Sequence, residues 1–78
     1  MKKIVVFVNG DKFDLEDEQI SVGELIKLGG GNILEYDLQE RHGNNGPVVK
    51  TFKDPNEIIT VQNGTHFITH FLGTVNPA

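Results

Sequence analysis

Three histidines, one serine, eleven carboxylates and no cysteine are the side chains of this chain most able to do acid–base, nucleophilic or metal chemistry. His66 and His70 stand four apart, which on a helix is a metal-chelating spacing. The stretch THFITHFL around them alternates as a strand does. On a strand, residues four apart share a face but lie roughly 13 Å apart along it, too far to share one ion unaided. They read as two half-exposed strand histidines. His42 falls in the glycine-rich turn HGNNGP with no evident partner. Ser21 is the only serine and reads as a helix cap rather than a nucleophile. The carboxylates sit on loops and polar strand faces, and nothing sets a raised-pKa acid beside an ordinary one. Gly29, Gly30 and Gly31 follow a helix instead of preceding it, so they face its negative end and make no phosphate loop. The expectation is a protein that is not an enzyme and has no catalytic residue, metal site or cofactor.

Bulk properties narrow the partners. Seven Lys and Arg stand against eleven Asp and Glu, a formal charge of -4, and the cations are scattered. A nucleic-acid binder gathers them into a basic stripe, because phosphate neutralisation carries most of its affinity. No nucleic-acid partner is expected. The absence of Cys removes disulfides, thiolate zinc and a thiol nucleophile, and fits a reducing cytoplasm. The apolar run at residues 4–8 is too short for a signal peptide or a membrane span. With 78 residues, 37% of them hydrophobic, the chain is one small domain with one modest core, expected to be a monomer.

The elements that must position these groups are legible as patterns. Residues 2–8, KKIVVFV, form a strand apolar on both faces, which suits a central place in a sheet. Asn9-Gly10 is the preferred two-residue hairpin turn. Residues 11–15 return with Phe13 and Leu15 toward the core, and the acidic 16–18 stretch reads as a solvated loop. Ser21 caps a helix over 21–28, with Glu24 at the capping-box position and Ile20 and Leu25 at staple spacing. Val22, Leu25, Ile26 and Leu28 make its buried stripe, and the glycines stop it. Residues 32–39 alternate, predicting a strand with Leu34, Tyr36 and Leu38 inward and Glu35, Asp37 and Gln39 on a wet face. Strands over 48–52, 57–61 and 65–72 follow, the last two separated by the turn Asn63-Gly64. The fold class is α+β: one short helix on a mixed sheet of four or five strands, with the last strand parallel beside the first. The domain spans 1–73, and 74–78 reads as a flexible tail.

With these elements in place, VFVNGDKFDL, the helix SVGELIKLG with its early Gly23, and NEIITVQNGTHFITH resemble the bacterial multiubiquitin-type domains, ubiquitin-like β-grasp proteins. The resemblance spans nearly the whole chain and rests on pattern and order. It implies a protein modifier of a ubiquitin-like conjugation pathway. Its partners would be a ubiquitin-activating-like enzyme, a ubiquitin-conjugating-like enzyme and a JAB-type zinc peptidase. Gly73 would be the residue activated and joined to a target amine by an isopeptide bond, after cleavage before Thr74 removes the tail. Phe71, Leu72 and His70 would meet the partner proteins. The chain departs from the finished form, since it continues Gly73-Thr74-Val75-Asn76-Pro77-Ala78 instead of stopping at glycine. Two other readings stay open: a β-grasp interaction module that is never attached, and one unit of a longer tandem chain with 74–78 as linker. A small enzyme ranks far below these.

Overall fold

A computed structural model describes residues 3–43 and 45–73. The strand at the start is Ile4–Val8 (β1), with Ile4, Val6 and Val8 buried on one face and Val5 and Phe7 half-buried on the other. Asn9 and Gly10 both take positive φ, 54° and 85°, as a two-residue hairpin turn with the twist of its strands requires. The chain returns as Asp11–Leu15 (β2), pairing antiparallel with β1 from Ile4 opposite Leu15 to Val8 opposite Asp11. Phe13 and Leu15 pack against the core as their spacing predicts.

Next come Gln19–Ser21 (β3) and Val22–Leu28 (α1). Seven residues cannot hold a helix in water unaided, and both ends of this one are tied. Ser21 Oγ accepts the Glu24 N–H at 3.1 Å. The Val22 and Gly23 N–H groups donate to the Glu57 and Pro55 carbonyls, both at 2.9 Å. At the other end Gly30 N–H donates to Lys27 O and Gly31 N–H to Ile26 O, with Gly30 at φ +83°. That pair of bonds is the glycine-dependent stop of a Schellman motif. Gly29 is needed for a different reason. A Cβ there would lie 2.8 Å from Asn9 Nδ2 and 2.9 Å from Val8 Cγ1.

The remaining strands are Tyr36–Arg41 (β4), Val48–Phe52 (β5), Ile58–Thr60 (β6) and Thr65–Phe71 (β7). They complete a five-stranded mixed sheet in the order β2-β1-β7-β4-β5, with β1 and β7 parallel at its middle. The doubly apolar β1 is indeed internal. A second sheet of two strands pairs β3 with β6, Ile20 opposite Ile59. The sequence pattern does not reveal this pairing. The core lies between α1 and one face of the large sheet: Val22, Leu25 and Ile26 against Ile4, Val6, Val8, Leu38, Phe52, Val61 and Phe67. The protein is therefore α+β, with one short helix on a mixed sheet.

Two expectations for residues 32–39 fail. The strand starts only at Tyr36, because Asn32 turns the chain: its Oδ1 accepts the Leu34 N–H at 2.8 Å and its carbonyl accepts from Glu35 and Tyr36. Leu34 is consequently 84% exposed rather than inward. Asp37 is on no wet face; it is 3% exposed, on an inner strand flanked by β7 and β5. The tail, residues 74–78, and Lys2 of the expected first strand lie outside the described residues.

Two measurements probe this packing. Leu25 is fully buried in the centre of the core, so Leu25→Ala should lower unfolding free energy by about 2–5 kcal/mol in urea titration. A loss below about half a kcal/mol would show that the helix does not pack on the sheet through this face. Asn9 holds the positive φ of the turn and also ties three elements. Its side chain accepts from Thr69 N–H at 2.9 Å and donates to Thr69 Oγ1 at 2.9 Å and to Gly29 O at 3.3 Å. Asn9→Gly keeps the turn and removes only these bonds, so a loss of about 1–3 kcal/mol is expected. An unchanged midpoint would mean the three bonds contribute nothing.

Candidate functional site

The sheet face away from α1 carries two of the three histidines singled out in the sequence. On β7 the alternation sends Phe67 into the core and His66, Ile68 and His70 outward. Phe7 of β1 lies beside His66 in the parallel register, and the two rings stack at 4.5 Å between centroids with planes 9° apart. On the other side β4 brings Arg41 opposite His66, Gln39 opposite Ile68 and Asp37 opposite His70.

The two histidines four apart thus serve separate neighbours. His70 Nδ1 is 3.2 Å from Asp37 Oδ1, with the imidazole about half exposed and the carboxylate buried. That distance fits an ion pair when the imidazole is protonated, yet Oδ1 has no hydrogen-bond partner by geometry. The contact is close but poorly angled, and it covers a carboxylate that would otherwise be buried alone, which is costly. His66 instead is held flat against Phe7. His42 lies in an exposed turn, its N–H donating to Pro47 O at 3.0 Å. Among the described residues no three His, Cys, Asp or Glu side chains gather into a set that could hold a metal ion. Ser21 is engaged as the helix cap.

Arg41 is the feature that sequence reasoning passed over. It is the chain's one arginine. A shift of register between Glu40 and Arg41 on the β5 side places it at the head of β4, next to the β1–β2 turn. Its Nε is buried without a hydrogen-bond partner, and no described carboxylate approaches it within ion-pair distance. A groove of 220 Å³ opens here, lined by Asn9, Gly10, Arg41, His66, Phe67 and Ile68. A signal existed in the sequence: a lone arginine two residues beyond an alternating strand and opposite a histidine strand. The register that joins them did not.

The second region is the end of β7. Phe71 is half exposed and its ring lies 5.2 Å from that of Tyr36. Leu72 is exposed, but its N–H donates to Glu35 O at 2.8 Å, which extends the β4–β7 pairing by one bond. Gly73 then takes φ +88°, with open space where a Cβ would stand. The chain turns out of the sheet at Gly73 in a conformation that disfavours other residues. Phe71, Leu72 and Leu34 are each exposed, and His70 faces the opposite side of the sheet from Phe71, beside Asp37. The expected partner contacts are therefore divided between two surfaces. Thr74, on the far side of the expected cut, lies outside the described residues.

Among the described residues no helix is long and apolar enough to cross a membrane. Comparison with protein-family models, with curated proteins and with solved structures returned no match.

Proposed function

We propose that this chain is a ubiquitin-like β-grasp protein that acts as a protein modifier, attached through Gly73. The observation that carries the reading is the course of β7. It runs parallel to β1 in the middle of the sheet and leaves the fold at Gly73, where φ is +88° and the space around Cα is open. A hairpin, a helix lying across the sheet, and a last strand inserted beside the first is the β-grasp order. A glycine at the exit suits a terminus that must thread an enzyme channel too narrow for a side chain.

The reaction sequence needs no group from this chain except that carboxylate. A JAB-type zinc peptidase hydrolyses the Gly73–Thr74 bond. An activating-like enzyme joins the new Gly73 carboxylate to AMP from ATP, with release of pyrophosphate. A thiol displaces AMP, a conjugating-like enzyme takes over the acyl group, and a target amine displaces the thiol to leave an isopeptide bond. Acting in the cytoplasm as a monomer, the chain is the cargo of these enzymes and not itself an enzyme.

One observation favours a second reading, a binding module that is never attached. Leu72 is held by the Glu35 carbonyl, so only Gly73 extends beyond the anchored chain. One residue reaches roughly 3.5 Å. Releasing the Leu72 bond, at a net cost of about 1 kcal/mol, adds a second residue of reach.

The test is to incubate the full chain with a JAB-type zinc peptidase of the kind this reading requires and to weigh the product. Loss of residues 74–78, abolished by Gly73→Val, is expected, and the product should then form a thioester with the activating-like enzyme when ATP is present. An intact chain, together with no thioester from a form ending at Gly73, overturns the modifier reading in favour of non-covalent binding. If reach limits the reaction, two glycines inserted between Leu72 and Gly73 should raise the rate of thioester formation. An unchanged rate would show that the Leu72 anchor does not limit access.

A further inference from the structure

We propose that the groove between Arg41, His66 and the Asn9–Gly10 turn is a docking site for a protein segment that carries a carboxylate beside an apolar side chain. The inference does not rest on the fate of Gly73, because the groove lies at the opposite end of β7 from the tail. Its basis is a mismatch of charge. The chain carries a formal charge of -4 and has carboxylates to spare, yet none of the described ones approaches Arg41. The acid on the same strand and face, Asp37, is four residues away, roughly 13 Å along the strand, and is engaged with His70. Arg41 Nε is removed from water without a hydrogen-bond partner among the described residues. A buried donor left unmade is costly, and a ligand that accepts from it recovers that cost.

The groove defines the chemistry of the occupant. A guanidinium presents a planar fork of N–H donors that matches the two oxygens of a carboxylate. His66, fixed by its stack on Phe7 and directly opposite Arg41, stands at the side of that fork and supplies a second polar group. Ile68 makes the floor beyond it apolar. A carboxylate next to an aliphatic side chain places its charge on Arg41 and its methyl groups on Ile68. The chain's formal charge of -4 disfavours a more highly charged ligand such as a phosphate.

The experiment is an amide NMR titration of the full chain with N-acetyl-Glu-Leu-amide, with N-acetyl-Gln-Leu-amide and with inorganic phosphate. Saturable shifts at Asn9, Gly10, Arg41 and Ile68 are expected with the glutamate peptide. Affinity should be at least about tenfold weaker for the glutamine peptide, whose charge alone is removed. Arg41→Gln should produce the same loss on the glutamate peptide, and Arg41→Lys, which keeps the charge without the fork, an intermediate one. The glutamine comparison needs no variant, so a folding defect in Arg41→Gln leaves the test intact. Equal affinity for the two peptides, or no shift at these amides, overturns the proposal. Phosphate binding the same amides as tightly as the glutamate peptide also overturns it, since the groove would then be a general anion pocket.

Discussion

The structure depends on keeping a seven-residue helix in place. So short a helix has few internal hydrogen bonds to set against the cost of starting it, so packing and its ends must hold it. The loop before β6 supplies two carbonyls to its first N–H groups, and Ser21 supplies a third acceptor. That loop is held close because β6 pairs with β3, the strand leading directly into the helix. At the far end Gly29 leaves no room for a Cβ against Asn9 and Val8, and the Asn9 side chain reaches both the Gly29 carbonyl and Thr69. One asparagine thus locks the first turn, the helix stop and the last strand together. The small sheet and the hairpin turn are the two clamps that let a minimal helix cover a five-stranded sheet.

Covering only one face of that sheet has a consequence for the other. β1 and β7 are central, so their outward side chains cannot all be polar without weakening the middle of the sheet. Val5, Phe7 and Ile68 are accordingly half-buried there with no layer above them. Two of its polar side chains lie flat or pair: His66 on Phe7, His70 against Asp37. Arg41 differs, its Nε buried without a hydrogen-bond partner among the described residues.

Much of the fold was legible because its signals are local. Asn9-Gly10, the Ser21 cap, the glycine stop and the two-faced β1 each act within a few residues and each appears in the structure as read, while of the capping box the structure shows the Ser21 Oγ half alone. What could not be read depends on distant pairing or on competing local bonds. β6 lies within the strand read at 57–61, but β3 is only three residues long and its partner is about forty positions away, so neither β3 nor the pairing shows in the pattern. Leu34 fits an alternating strand by type, but the Asn32 side chain captures its N–H and turns the chain first. Asp37 obeys the polar side of the alternation, yet its strand is internal, and position in the sheet outweighs alternation. The candidate site was partly visible. The strand leading to Gly73 came from alternation and Gly73 itself only from the resemblance, while Arg41 became significant only when register placed it across from His66.

The sheet's margins explain why a partner would use its centre. β2 presents Asp11, Lys12 and Asp14, charges that discourage another strand from adding there. β5 exposes Val48 and Val49, but it follows Pro47, carries Lys50, and meets β4 through a shifted register. Short, charged and irregular edges are poor templates for an added strand. On the proposed reading, recognition would fall to side chains on the outer face and to the exit of β7. These two regions lie at opposite ends of the same strand. A partner that gripped the Arg41 groove would leave the Gly73 end open, so docking and attachment need not compete for one surface. A single short β7, held rigidly between β1 and β4, would then fix the distance between the place where the protein is recognised and the place where its chain emerges.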